Sequence, residues 1–234
     1  MKILQKGFNY SQDGPGNRLV YHLQGCNFRC KWCSNADSIP LENPNAKDCS
    51  VDEMFDEIMR SRMMFFDGGG VTFTGGEVCV QSVELIELLK RLKSAEINTC
   101  IESNASFVSI KEVAEYIDYL IVDFKHYDDE LHRKWVGVSN KSVKENIECF
   151  FESGRQIHIR IPVIHGVNDN PQGFADYFRL FDTSNAVFEF LAYHEFGKDK
   201  WLGEYEIADG FLPAGTIKKF TDIFENYGMK TVVT

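Results

Sequence analysis

What this chain of 234 residues lacks narrows the field first. No uninterrupted apolar run reaches 18 residues, so no transmembrane helix is expected. Met1–Gly7 carries two lysines, but no apolar stretch of signal-peptide length follows it, so no secretory leader is expected. Positive charge is scarce. The 25 Lys and Arg against 35 Asp and Glu give a formal net charge of −10, which argues against a nucleic-acid or anionic-membrane binder. No repeat, low-complexity tract or linker interrupts the chain. Its length suits one domain over residues 1–234, since single cores stop growing at ~250–300 residues. Seven cysteines, an odd number without secretory context, point to reduced thiols and a cytoplasmic location. A hydrophobic content of 44%, with 13% aromatic, is enough for a sizeable core.

What is present centres on Gly25-Cys26-Asn27-Phe28-Arg29-Cys30-Lys31-Trp32-Cys33. The spacing Cys-x3-Cys-x2-Cys lets one tight loop aim three thiols at a single metal centre. A structural zinc or an electron-carrying cluster normally takes four protein ligands, and here there are three. The open position is where a substrate or cofactor binds. A disulfide framework fits poorly, because pairing any two thiols strands the third.

Around this loop, strand-like and helix-like patterns alternate. Arg18–Gln24 reads as a strand leading into the cysteines. Ser50 and Glu53 form a capping-box pattern ahead of the apolar stripe Val51, Met54, Phe55, Ile58 and Met59. Gly70–Thr74 is a strand ending at Gly75-Gly76-Glu77, and Ser82–Ala95 is a helix. Strand Asn98–Glu102 follows, then a helix capped by Ser109 with Glu112, then the nearly continuous apolar strand Tyr119–Phe124. Ser142 with Glu145 caps another helix before strand Ile157–Val163. A polar loop, His165–Pro171, precedes a helix near Gly173–Phe181 and strand Val187–Leu191. Leu212-Pro213 opens a last helix to about Asn226, and Lys230–Val233 closes as a strand. Such alternation implies βαβ units, and the count favours six, with a flavodoxin-like open sheet as the structural alternative.

Cys26, Cys30 and Cys33 at this spacing resemble the signature of the radical S-adenosylmethionine (SAM) enzymes. Asp13-Gly14-Pro15-Gly16, Gly75-Gly76-Glu77, Val122-Asp123-Phe124-Lys125 and Tyr193–Trp201 (Tyr-His-Glu-Phe-Gly-Lys-Asp-Lys-Trp) narrow the resemblance. In that order they are similar to the glycyl-radical-enzyme activating enzymes, most of all those of pyruvate formate-lyase. The resemblance covers nearly the whole chain. It implies an α/β fold, a partial (β/α)6 TIM-like barrel, and one [4Fe–4S] cluster held by three cysteines, with SAM on the fourth iron. A low-potential flavodoxin or ferredoxin would reduce the cluster. The resulting 5′-deoxyadenosyl radical would then take a hydrogen from a glycine Cα of a separate glycyl-radical enzyme. No Arg-Val-x-Gly-Tyr word of the kind that carries the target glycine is present, so the substrate is another polypeptide. No nucleic-acid or membrane partner is expected, and the chain is expected to be a monomer.

Chemistry in parallel α/β folds collects at the C-terminal ends of strands, and every motif named here is expected there. Paired Gly75 and Gly76 let backbone approach a ligand such as the SAM ammonium, with Glu77 beside them; a plain strand-end turn is the simpler reading. Trp32 and Ser34 flank the last thiolate and suit the nucleoside, although a lone tryptophan would pack. Lys125 and Arg160 can neutralise the SAM carboxylate, or pair with Asp123 and Glu102. The resemblance adds Asp123, Phe124, Lys125 and His194 to the SAM contacts. It also implies a monovalent cation (Na or K) on Glu102, Ser103 and Asp123, and a partner peptide on Asp13 and Gly14. Ser34 stands where pyruvate formate-lyase activators typically have His; Cys-Ser-Asn occurs in activators of dehydratases and decarboxylases. Those usually carry a ferredoxin-like insert, but only 41 residues separate Cys33 from Gly75, with Cys49 the one thiol among them. Cys49, Cys79, Cys100 and Cys149 read as small apolar residues. An iron–sulfur electron carrier and a radical SAM enzyme acting on a small molecule are the rival functions.

Overall fold

The strand expected ahead of the cysteine loop is present as Asn17–Leu23, but it is the second strand. Lys2–Tyr10 precedes it as β1 and pairs with it (β2) antiparallel, Phe8 opposite Leu19 and Tyr10 opposite Asn17. No sequence signal announces β1. Most of its side chains face solvent, so the apolar alternation that marks a half-buried strand is missing.

The computed structural model describes residues 1–201 and 203–232, which fall into two compact units. The first comprises Met1–Asn27, Asp37–Ser103 and Phe107–Ile121. After β1 and β2 it holds β3 (Lys47–Asp48), α1 (Val51–Arg60), β4 (Gly70–Gly75) and α2 (Ser82–Ser94). β5 (Thr99–Ser103), α3 (Ile110–Ala114) and the start of β6 (Tyr119–Asp123) complete it. Its strands run in the order β3-β1-β2-β4-β5-β6, with β2, β4 and β5 parallel. The capping box forms as expected: Ser50 Oγ accepts from the Glu53 amide, and the Glu53 carboxylate accepts from the Ser50 amide. The second box does not form. Ser109 itself sits in right-handed helical backbone, because the turn has already begun at Phe107 and Val108.

The second unit comprises Phe28–Ala36, Asn104–Ser106 and the chain from Val122 onward. It holds the end of β6, α4 (Asp129–Val136), α5 (Lys141–Ser153), β7 (Ile157–Val163) and α6 (Pro171–Phe178). β8 (Ala186–Ala192), α7 (Thr216–Asn226) and β9 (Thr231–Val232) follow. The strands keep chain order, β7, β8 and β9 running parallel, without the order reversal of a flavodoxin-like sheet. Three expectations shift here. Ser142 lies inside α5, whose first flanking residue is Asn140, spent on donating to the His126 and Tyr127 carbonyls. Helix α6 starts at Pro171 and is capped by Asn170, the favoured place for proline. Leu212-Pro213 stays outside α7, because the Pro213 carbonyl accepts from both the amide and the hydroxyl of Thr216. Of the expected final strand, Val233 lies outside the described residues.

The core of this unit is aromatic. Phe178 lies 4.8–6.3 Å, ring to ring, from Phe124, Phe151, Tyr177, Phe188 and Phe224, and Phe190 joins through Phe220 and Phe224. Such edge-to-face pairs add to the burial of the rings themselves.

Candidate active site

In the first unit, chain order brings β2 into Gly25-Cys26 and β4 into Gly75-Gly76-Glu77, and hydrogen bonds tie the two together. The Gly76 amide donates to the Leu23 carbonyl at 2.9 Å and the Glu77 amide to the Gly25 carbonyl at 2.8 Å. From the other side, the Gly25 and Cys26 amides donate to the Ser38 and Ile39 carbonyls. A Cβ on Gly76 would lie 2.2 Å from the Gly25 oxygen, so this glycine is required first by the chain's own backbone. With both amides engaged, the Gly75-Gly76 carbonyls are what this turn has for a ligand that donates, as an ammonium does. Glu77 is fully buried; its Oε1 accepts from the Cys79 amide and from Ser103 Oγ at 2.8 Å. Burial, and then Glu77, push the Cys79 thiol well above its ordinary pKa, in keeping with a small apolar role. Glu102 accepts from Thr74 Oγ1 at 2.7 Å, so Glu102 and Ser103 end β5 with their oxygens on internal partners.

The Asp13–Gly16 turn is fixed by a residue that sequence reading passed over. Arg18 is fully buried, yet among the described residues it donates to neutral acceptors: Thr72 Oγ1 at 2.7 Å, Pro15 O at 3.0 Å, Asn98 Oδ1 at 2.9 Å and Val71 O at 2.8 Å. Thr72 in turn donates to the Asp13 carbonyl at 2.6 Å. Burial lowers the Arg18 pKa, which the surrounding acidic groups partly offset. A charged residue opening the apolar run Leu19-Val20-Tyr21 was the available signal.

In the second unit the loop continues through Cys30 and Cys33, whose amide donates to the Cys30 carbonyl at 3.1 Å. The C-terminal end of α4 holds it: the Arg29 amide donates to Val136 O and the Lys31 amide to Trp135 O. Phe28 packs edge-on to His132. Helix α4 went unread in the sequence, although Asp128, which caps Leu131, and Gly137, left-handed just past the helix end, were its start and stop signals. Trp32 is buried, with its indole N–H unpartnered.

Lys125 donates to Asp123 Oδ2 at 2.8 Å, the pair standing where β6 ends. Burial by itself would lower the Lys125 pKa. Asp123 and the Cys30 and Cys33 sulfurs outweigh it and hold the ammonium charged. Alternation along the strand puts Phe124 on the opposite face, fully buried against Phe174, Tyr177 and Phe178. Its side chain therefore belongs to the core. Arg160 sits in the middle of β7, not at its end, and pairs with the buried Glu189 at 2.8 Å. His158 Nε2 lies 2.9 Å from the same carboxylate. His194 is exposed just after β8; its Nδ1 accepts from the Phe196 amide, which leaves Nε2 as the outward nitrogen. Asn168, also unforeseen, bridges the Lys125 and Pro162 carbonyls and accepts from the Ile164 amide.

In the second unit, Cys30 and Cys33 with the charged Lys125 suit part of an iron–sulfur cluster and an anionic ligand. Among the described residues, no set of three His, Cys, Asp or Glu side chains is gathered as a bare-ion site. No helix among them is long and apolar enough to cross a membrane.

Comparison with known proteins agrees with this chemistry. Residues 20–178 match the radical SAM superfamily. The pyruvate formate-lyase 1-activating enzyme of Escherichia coli K12 is 33% identical over 94% of this chain and 93% of its own length. The 4-hydroxyphenylacetate decarboxylase activating enzyme of Clostridioides difficile strain 630 is 30% identical over 94% of this chain and 92% of its own. That alignment takes 291 positions, so the relative has residues with no counterpart here. A crystal structure of a domain of pyruvate-formate lyase-activating enzyme from Bacteroides vulgatus covers 71% of this chain and 99% of that domain, with TM-score 0.60 and 26% identity. A radical SAM methyltransferase from Sphaerobacter thermophilus, 16% identical, shares the fold over 97% of this chain and 68% of its own, with TM-score 0.70. The expected α/β class and the radical SAM fold therefore hold. The chain belongs to the radical SAM superfamily and, within it, to the family of glycyl-radical-enzyme activating enzymes.

Proposed function

We propose that this chain activates a glycyl-radical enzyme of the pyruvate formate-lyase type. The observation that carries the reading is a likeness running end to end, 94% of this chain against 93% of the Escherichia coli relative, with no space for a ferredoxin-like insert. The whole chain is then one radical SAM core domain. Cys26, Cys30 and Cys33 hold a [4Fe–4S] cluster, and SAM takes its open position. Bound there, cluster and SAM would supply the one-electron radical chemistry by which a hydrogen is taken from the partner's glycine Cα.

The chain's own residues bind, orient and shield. Lys125, kept charged by Asp123, neutralises the SAM carboxylate, and Arg160, anchored by Glu189, adds positive charge. The Gly75-Gly76 carbonyls accept from the SAM ammonium while Glu77 holds that turn. Trp32, Ser34 and the outward nitrogen of His194 line the nucleoside. Glu102, Ser103 and Asp123 hold a monovalent cation, Na or K. Asp13 and Gly14, stiffened by Arg18 and Thr72, receive the backbone of the partner's glycine loop. A flavodoxin or ferredoxin is the reductant, and the chain works as a cytoplasmic monomer.

One second reading has its own support. Ser34 and the Clostridioides difficile relative favour a decarboxylase- or dehydratase-type partner. Electron paramagnetic resonance separates the readings when the chain, SAM and a low-potential reductant are mixed with each candidate partner. A glycine Cα–H doublet is expected on a pyruvate formate-lyase, with stoichiometric 5′-deoxyadenosine. A doublet only on a decarboxylase or dehydratase moves the assignment to that partner. SAM cleavage driven by a small metabolite, with no doublet on any protein, sinks both.

A further inference from the structure

The Tyr193–Trp201 segment carries a second task that the binding of SAM by His194 does not account for. Three of its residues close on the far end of the cysteine loop. Trp201 Nε1 donates to the Cys33 carbonyl at 3.1 Å, and Lys200 Nζ donates to Asn35 Oδ1 at 3.1 Å. Between them in effect lies Gly197, where a Cβ would stand 2.3–2.5 Å from the Ser34 backbone. Gly197 has φ −98°, ordinary for any residue. It is glycine because Ser34 is in the way, not because the backbone is strained.

The segment is braced on its other side. The Tyr193 amide donates to Val163 O, its hydroxyl shares a 2.8 Å hydrogen bond with Tyr205, and Trp201 packs edge-on to Tyr205 at 5.4 Å. The clasp is thus tied to β7 and to its own tyrosines while it presses on Cys33, Ser34 and Asn35.

We propose that Gly197, Lys200 and Trp201 are positioning residues that fix the Cys33–Asn35 segment, and through it the third cluster ligand and the SAM contact at Ser34. The α4 end holds the loop before and after Cys30, at Arg29 and Lys31. The clasp adds a hold beyond that, at the Cys33 carbonyl and at Asn35. A ligand held from both sides keeps the cluster from opening and keeps its neighbour in register with SAM.

The inference rests on Cys33 being a cluster ligand, and the test keeps the two apart. Wild-type chain, Trp201→Phe, Gly197→Ala and the exposed Asp199→Asn are reconstituted anaerobically with iron and sulfide. Iron content, the rate at which a chelator strips the cluster, and SAM affinity by its effect on the cluster's paramagnetic spectrum are then read. All four proteins are expected to take up four irons. Trp201→Phe should lose its cluster roughly 2- to 10-fold faster and bind SAM more weakly by a similar factor, the span of one neutral hydrogen bond. Gly197→Ala, which pushes the clasp off the loop, should exceed tenfold, within the range of overpacking effects. Asp199→Asn should match wild type.

Melting of the cluster-free proteins separates positioning from plain structure. A lowered melting temperature with unchanged stripping rate and SAM affinity overturns the proposal, as does a Trp201→Phe protein identical to wild type throughout. Should Gly197→Ala fail to fold, Trp201→Phe decides alone, since it keeps the ring. A wild-type protein that takes up no cluster overturns the ligand assignment instead.

Discussion

The two compact units hold their shares of the cysteine motif by different means. Around Cys26 the first unit works through backbone: amides of Gly25, Cys26, Gly76 and Glu77 all find carbonyls, and Gly76 leaves no space for a methyl. Around Cys30 and Cys33 the second unit adds side chains to the backbone bonds of the α4 end, a charged Lys125–Asp123 pair and the Trp201 indole, and its own core is one of interleaved phenylalanines. The first device is stiff and tolerates no substitution. The second spreads its energy over many contacts, so it bends with conservative change. Histidine divides likewise, five of the six lying in the second unit.

The hardest blow to either unit is loss of a ligand. Cys30→Ala should abolish the absorption near ~400 nm that iron–sulfur charge transfer produces, with bound iron falling from four per chain toward none. The protein should still fold, because Cys30 is a small buried residue on a loop held by α4. Iron retained at four per chain would take Cys30 out of the ligand set.

Stability should expose the contrast next. Phe178→Ala in the second unit should cost roughly 3–5 kcal/mol, yet Phe178→Met or Phe178→Leu much less, as volume-sparing swaps do. Gly76→Ala in the first unit should cost about 3 kcal/mol, at the upper end of overpacking effects, because the clash is with the Gly25 oxygen and no side chain can step aside. Denaturant melts of the set check this. A Gly76→Ala protein as stable as wild type would break the comparison, since the backbone contact would then be slack.

Those residues also mark how far sequence carried the reading. The cysteine loop, the Gly75-Gly76 turn and the Asp123/Lys125 pair were legible because their chemistry is local: spacing, a paired glycine, strand alternation. Between the pair, the Phe124 ring turns into the core, since a word that carries function hides which of its letters face inward. The rest depends on chain reversals that no short window contains. Arg18 is meaningful only with Thr72 and Asn98 around it, and Gly197 only with Ser34 against it. β1 and α4 were missed for lack of an apolar stripe, although α4 announced its ends.

Binding comes third in size. Lys125→Ala should leave four irons in place while weakening SAM roughly 10–150-fold, the loss of a charge-assisted bond to a carboxylate. His194→Ala should act in the same direction but less, its ring being exposed and its Nδ1 already taken by Phe196. Titrating SAM into each variant while following the cluster spectrum measures both. Unchanged affinity in the Lys125 variant would mean that its charge serves Asp123 and the sulfurs alone.

The smallest expected effect is a pH dependence confined to the second unit. His126 and His132 are both buried there, and burial lowers both pKa values despite nearby Asp128 and Asp129; Lys125 and Lys144 lower His132 further. The sign follows from linkage. The unfolded chain takes up protons as pH falls through about 6.5, while the folded rings stay neutral to lower pH. Stability is therefore full above about pH 6.5 and declines below it, until the folded rings protonate too. Each ring contributes at most about 1.4 kcal/mol per pH unit in that window. The two rings are not equivalent. His132 Nδ1 faces the Val138 carbonyl, so it already carries its proton and a second would enter at Nε2. His126 Nδ1 accepts from the Asp128 amide, so a proton there removes an acceptor and sets N–H against N–H. His126 should thus carry the steeper share. Asparagine can accept from the amide two residues on without titrating, so His126→Asn should keep the turn and flatten the decline in melting temperature between pH 6.5 and 5. His132→Asn should flatten it less. If His126→Asn melts with the full wild-type slope, the pH dependence lies elsewhere and the histidine contrast between the units has no energetic meaning.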